Sequence, residues 1–266
     1  MRLLMCPPDY FDVSYEINAW MRLAVVPDKS RAWEQWDHLY HTLASQLSVD
    51  VSVIHPRQGS PDMVFTANAG MAEGKTFIPS RFHHPERQGE IPHFVRWFKA
   101  HDYAIVPIPA DIEGCHEGEG DALRYGDLIL AGYGHRSDVA PQRAAGALLG
   151  HPVLPLRLVD PRWYHLDTCL VPLSDELIAY YPGAFDQASR EAIEALPGEK
   201  APISLHDALL FAANAVVVGK HVVLNAGCEA FEDCLRKRGF IPHPVPLDEF
   251  LKAGGAAKCL ALRLWT

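Results

Sequence analysis

Apolar residues along this chain fall into two rhythms, one alternating and one near helical period. Leu3 to Cys6 is a short apolar run halted by Pro7-Pro8 and predicts a strand. A loop holding Asp9, Tyr15 and Asn18 follows, and Ser30 then caps a helix on which Trp33, Trp36, Leu39, Tyr40 and Leu43 fall at helical spacing. Val51–Ile54 and Met63–Thr66 predict strands, and Pro85 opens a helix with Ile91, Phe94, Val95 and Phe98 on one side. Further strands are expected over Ala104–Ile108 and Leu128–Ala131, and a helix from about Ala140 to Leu149 stops at Gly150.

The second half continues in the same manner. Strands are predicted at Val153–Leu158, Thr168–Pro172 and Leu177–Tyr181, then a helix over Phe185–Leu196. Ser204 starts a helix through Leu210 that leads into strands Ala215–Val218 and Val222–Leu224. Phe231–Arg238 and Leu247–Lys252 are helical, and the chain ends on an alternating strand carrying Leu260, Leu262 and Leu264. Major helices begin near 30, 86, 139, 186 and 229, a recurrence of roughly fifty residues that suggests a repeated supersecondary unit. No linker divides the chain, so residues 1–266 are read as one α/β domain. A Gly-x-Gly-x-x-Gly turn is absent, which argues against a dinucleotide-binding fold.

Composition narrows the partners. With 48% hydrophobic and 21% charged residues, the chain is of ordinary globular make-up. A net charge of -9 argues against nucleic acid or an anionic membrane surface and suits a cationic small molecule. Six cysteines without a Cys-x-x-Cys pair fit neither a disulfide framework nor a zinc site. Neither a signal peptide nor a membrane span is expected, so the reading is a cytoplasmic protein. The oligomeric state is open, a homo-oligomer included.

Four stretches besides the end of the chain place polar groups beside predicted strands. Asp62 and Asn68 flank the run Met63–Thr66, with Ala67, Ala69 and Gly70 leaving space; a simple turn asparagine is the plain alternative. Glu117, Glu119 and Asp121 alternate with Gly118 and Gly120, as in a solvated loop or a cation site, though without the rhythm of an EF-hand. His165 and Asp167 share one side if the segment is extended. Arg87 and Arg136 lie near glycines, where a guanidinium fork can take a carboxylate at two points, although most such arginines are surface charges. Last comes Gly254-Gly255-Ala256-Ala257-Lys258-Cys259, which sets a thiol at the seam of a tight turn and a strand. Thiol, imidazole and acid together meet the needs of nucleophilic catalysis.

Phe65-Thr66-Ala67-Asn68-Ala69-Gly70, Glu117-Gly118-Glu119-Gly120-Asp121, His165-Leu166-Asp167-Thr168 and the terminal Gly254-Gly255-x-x-x-Cys259 resemble, in that order, the guanidino-group-modifying enzymes. These include arginine deiminase, dimethylarginine dimethylaminohydrolase, amidinotransferases and the arginine dihydrolases. The resemblance implies a pseudo-fivefold α/β propeller (pentein) of ββαβ-type units. It implies Cys259 as nucleophile, His165 as general acid and base, and Glu117, rather than Glu119, as the carboxylate that orients the imidazole. Asp167 would grip the guanidinium, Arg87 and Arg136 the substrate α-carboxylate, and Asn18 and Asp62 would line the same pocket. A small guanidine would be the partner, with no metal or organic cofactor.

Asn68 stands where deiminases and dimethylarginine hydrolases carry a carboxylate. Its amide can donate to the oxygen of a neutral ureido product, which a carboxylate would repel. The expectation is therefore arginine hydrolysed twice, to ornithine, ammonia and CO₂. A dimethylarginine dimethylaminohydrolase or an amidinotransferase is the alternative within enzymes. A propeller-fold ribosome-binding factor is the alternative outside them.

Overall fold

In the computed structural model, which describes residues 1–265, a single topological unit recurs through a mixed α/β fold. Two antiparallel strands are followed by a helix that returns the chain to a third strand, parallel to the second. A hairpin closes through a short turn, whereas a parallel partner needs a crossover, which the helix supplies. The chain starts inside such a unit, with β1 (Arg2–Met5), α1 (Lys29–His41) and the parallel strand β2 (Asp50–Val53). The next contains β3 (Gly70–Glu73), β4 (Thr76–Pro79), α2 (Pro85–Gln88), α3 (Ile91–Ala100) and β5 (Ala104–Ile105). Then come β6 (Ala122–Tyr125), β7 (Leu128–Tyr133), α4 (Val139–Leu149) and β8 (Val153–Arg157). The fourth set is β9 (Leu170–Ser174), β10 (Leu177–Tyr180), α5 (Gln187–Ala195) and β11 (Glu199–Pro202). After α6 (Leu205–Leu209) follow β12 (Val216–Val218), β13 (His221–Asn225), α7 (Glu229–Lys237) and β14 (Ile241–Val245). Finally, α8 (Asp248–Leu251) leads to β15 (Leu262–Trp265).

β15 pairs antiparallel with β1 and so supplies the hairpin partner that the first unit lacks. It also runs parallel to β3, which merges two units into the six-stranded sheet β2-β1-β15-β3-β4-β5. The other units remain separate three-stranded sheets. The helices α1, the broken pair α2–α3, α4, α5 and α7 begin at Lys29, Pro85, Val139, Gln187 and Glu229, close to the positions of the fifty-residue recurrence. No helix is long and apolar enough to cross a membrane among the described residues.

Several local expectations are corrected. Met63–Thr66 is not a strand but parts of two 3₁₀ turns, Pro61–Val64 and Thr66–Ala69, because Thr66 Oγ1 bonds the carbonyls of Leu4 and Leu260 inside the core. The helix opened by Pro85 breaks after Gln88, since Pro92 has no N–H to continue it. Pairing of Ala104–Ile108 stops at Ile105, just before Pro107 and Pro109. Asp28, not Ser30, caps α1 by accepting from Arg31 N at 3.0 Å. The terminal strand starts at Leu262, leaving Leu260 and Cys259 in the preceding turn. His165 is extended, but Leu166–Thr168 forms a 3₁₀ turn, so β9 begins only at Leu170. Edge strands β11 and β14 went unpredicted; the prolines of β14 (Pro242, Pro244) are tolerated because an edge leaves one side unbonded.

Candidate active site

Every unit enters its first strand through a tight turn, and these turns meet. They are Thr66–Ala69 before β3, Gly118–Gly120 before β6, Leu166–Thr168 before β9, and the stretches 211–215 before β12 and 256–261 before β15. Glycine is required where they touch. Gly118 has φ +56°, and a side chain there would lie 2.6 Å from the Gly70 backbone. A Cβ on Gly120 would strike the Asn68 amide nitrogen and lie 3.1 Å from His165 Nδ1, so the acid loop packs directly on both polar groups.

The imidazole of His165 and the carboxylate of Glu117 lie together. His165 Nε2 lies 2.7 Å from Glu117 Oε2, and both side chains are fully buried. Glu117 also accepts from Arg136 Nη1 at 3.2 Å and from the His83 backbone N–H at 3.0 Å. Burial opposes its charge, yet Arg136 and the His165 hydrogen bond hold the carboxyl down at about 2. Burial pushes His165 down to about 4 against the pull of Glu117. A carboxylate facing a neutral imidazole puts the proton on Nε2, which leaves Nδ1, without a protein partner, as the basic nitrogen. Glu119 serves otherwise: it accepts from Lys258 Nζ (2.8 Å), Arg263 N (2.9 Å) and Trp265 Nε1 (2.8 Å), fastening the last strand.

The thiol sits on the next turn. Cys259 Sγ is 3.2 Å from Asp167 Oδ2 and 3.1 Å from Asn214 Nδ2, and is 1% exposed. Asp167 lies two residues after His165, in the Leu166–Thr168 turn that His165 precedes. Burial, then the charge of Asp167, push the Cys259 thiol well up from its usual range. Burial likewise lifts Asp167 to about 7, with Lys258 pulling the other way. Among protein groups alone, a thiol is favoured over a thiolate; a cation beside Asp167 would shift the balance toward the thiolate.

Asn68 has a fixed amide. Arg87 Nη1 donates to its Oδ1 at 2.7 Å, which leaves Nδ2 without a protein partner on the Gly120 side, where His165 Nδ1 also lies. Arg87 is buried, with its Nε and Nη2 on Glu90 at 2.9 Å each and Nη2 also on the Asp62 carbonyl. Only one of its N–H groups stays uncommitted. Asp62 accepts from Tyr15 Oη at 3.0 Å through Oδ2, while its Oδ1 is buried without a partner, as is Asp167 Oδ1. Asn18 clasps a loop: it accepts from Trp20 N and Met21 N and donates to Ala253 O at 3.0 Å. Arg136 bonds the neighbouring Ile17 carbonyl and stacks 4.7 Å over the Tyr164 ring. No group of three or more His, Cys, Asp or Glu suited to a metal ion occurs among the described residues.

No protein-family model matches the chain. It is 42% identical over 99% of its length to the N(G),N(G)-dimethylarginine dimethylaminohydrolase of Mycobacterium tuberculosis, of which it covers 85%. The chain belongs to the guanidino-modifying superfamily. A second member, the bifunctional arginine dihydrolase/ornithine cyclodeaminase AgrE of Nostoc sp., is 46% identical over 99% of the chain, which spans only 38% of that relative's length. The crystal structure of the N-terminal domain of ArgZ, an arginine dihydrolase of cyanobacteria bound to substrate, superposes with a TM-score of 0.94 at 43% identity, over 99% of this chain and 98% of that one.

In this member of the superfamily one residue of the candidate site escaped the sequence reading, Asn214. Ala213-Asn214-Ala215 reproduces Ala67-Asn68-Ala69, and each asparagine lies two positions before a first strand, β12 or β3. That small-residue echo was the signal available in the chain. It gained meaning only once the units could be superimposed on one another by strand order.

Proposed function

We propose that this chain hydrolyses the guanidino group of arginine to give ornithine, two ammonia molecules and CO₂, with Cys259 as nucleophile. The guanidinium is taken up with one face toward Asp167 and Asp62, whose unpaired oxygens suit its N–H groups. Arg136, near the loop that Asn18 clasps, takes the α-carboxylate, while Arg87 acts by holding Asn68. The cation stabilises the thiolate: two charges about 4 Å apart at an effective dielectric of about 20 interact by about 4 kcal/mol, or about three pKa units. The Cys259 proton passes to His165 Nδ1 as sulfur adds to the guanidinium carbon, and His165 delivers that proton to the departing ammonia. Water deprotonated by His165 then adds to the thiouronium carbon, and sulfur leaves to give bound citrulline. A second addition expels the second ammonia. Water releases N-carboxyornithine, which loses CO₂, so two waters are consumed in all.

The observation that carries this reading is the orientation of the Asn68 amide, with oxygen held by Arg87 and NH₂ free beside His165. An NH₂ there retains a neutral ureido oxygen for the second round. The likeness to the arginine dihydrolase domain of ArgZ supports the same choice. The test is to quantify products from arginine with purified protein: two ammonia per ornithine are expected, and citrulline as the sole product overturns the proposal. A second reading, favoured by the 42% identical relative, is dimethylarginine hydrolysis, which would release dimethylamine from the methylated substrate. We read the five units as the blades of one pseudo-fivefold propeller formed by the whole chain, because each repeats the same strand order. A cytoplasmic setting, with cysteines kept reduced, fits a thiol nucleophile.

A further inference from the structure

We propose that Asn214 is the residue that stabilises the Cys259 thiolate, by an amide hydrogen bond aimed at sulfur. The proposal rests on Cys259 being the nucleophile. Asn214 is fully buried and every atom of its amide is engaged. Its Oδ1 accepts from Ala256 N and Cys259 N, each at 3.0 Å. Backbone N–H groups only donate, so the oxygen must lie on that side and the NH₂ must face Sγ at 3.1 Å and the Asp167 carbonyl at 3.2 Å. The amide cannot be flipped without setting two donors against NH₂.

The same device is present twice. In Asn68 the oxygen is pinned by Arg87 and the NH₂ faces the reacting side; in Asn214 the backbone of the cysteine turn pins the oxygen and the NH₂ faces sulfur. The charges around the thiol make such a donor necessary. Asp167 touches it from the turn before β9, with Tyr164, His165 and Glu117 beside and behind that turn. Neither Arg136, which bonds Glu117, nor Lys258, which bonds Glu119, donates to the sulfur. Asn214 is the side-chain donor on the sulfur itself, beside the Ala256 backbone N–H that also favours the thiolate. A hydrogen bond to a charged acceptor strengthens as that acceptor ionises, whereas one to a neutral thiol gains little.

The test is the pH dependence of Cys259 alkylation by iodoacetamide, read by mass spectrometry on the tryptic peptide Cys259–Arg263. Asn214→Asp keeps an oxygen for the two backbone donors and removes the NH₂; Asn214→Ala removes both. In each, the alkylation midpoint is expected to rise by at least about one pH unit, about a tenfold loss of rate below the midpoint. An unmoved midpoint in the folded Asp variant overturns the proposal. In the wild-type chain, selective ¹⁵N labelling of its four asparagines gives an independent measurement. The Asn214 side-chain amide should shift with the Cys259 midpoint and cease to do so in Cys259→Ser; an amide indifferent to that titration also overturns the idea. If Cys259→Ala keeps full arginine turnover, the nucleophile reading fails instead, whatever Asn214 does.

Discussion

Replacing Asn68 by aspartate changes one atom type at the point where one round of hydrolysis parts from two. Arg87 Nη1 keeps an oxygen to bond, so the side chain stays in place and gains an ion pair. Its other terminus, now NH₂ beside His165 and Gly120, becomes an oxygen. For citrulline, one hydrogen bond of about 0.5–1.5 kcal/mol disappears and a buried acceptor faces another acceptor, costing about 1–3 kcal/mol more. A total of about 1.5–4.5 kcal/mol weakens citrulline retention about 10- to 2,000-fold. Arginine, a cation, loses nothing comparable. Asn68→Asp should therefore consume arginine while the ornithine-to-citrulline ratio drops at least about tenfold. The assay is a time course of both amino acids by liquid chromatography and mass spectrometry, with ammonia counted per arginine. A variant that folds, turns over and leaves the ratio unchanged removes Asn68 from the explanation.

Other expectations follow from the same electrostatics. If the substrate cation ionises the thiol, 2-chloroacetamidine should inactivate the protein at least about 100-fold faster than chloroacetamide at neutral pH, after normalising to a free thiol; equal normalised rates would refute substrate-assisted ionisation. His116 is buried, donates through Nδ1 to Gln142 Oε1, and is pushed by burial down to about 4. Its folded value lies below the unfolded one of about 6.5, so the unfolded chain binds more protons between pH 6.5 and 4. Stability conferred by the neutral ring is full above pH 6.5 and is lost on acidification through that window, by roughly 3 kcal/mol. His116→Leu should flatten the fall of unfolding free energy between pH 6.5 and 4 in urea titrations. An undiminished slope would show that His116 is not the group responsible.

The chain carried more of its chemistry than of its geometry. Glu117 and Cys259 stand in short motifs among glycines and alanines, His165 and Asp167 in His165-Leu166-Asp167-Thr168, and all four were nameable through the family resemblance of these motifs in order. Helices were legible from their apolar stripes, as with Phe94 and Phe98 on α3, both fully buried. The acid loop and the cysteine turn were read as such, but Met63–Thr66 was read as a strand, since a short buried apolar run has no period to separate strand from turn. Edge strands broken by proline were missed for the opposite reason, an absence of apolar pattern.

What the sequence determined by itself was local: amphipathic stripes, caps, and which polar residues sit among small ones. Tertiary structure decided which of these meet. The pairing of β1 with β15 joins residues more than 250 positions apart, and no local propensity encodes such a contact. It decided that Glu117 holds the imidazole while Glu119 holds the last strand, although the two acids differ by two positions in one loop. It also brought Asn214 to the sulfur. Amide orientation depends on donors from distant segments, and a hydrogen bond is a property of assembled partners rather than of any residue alone.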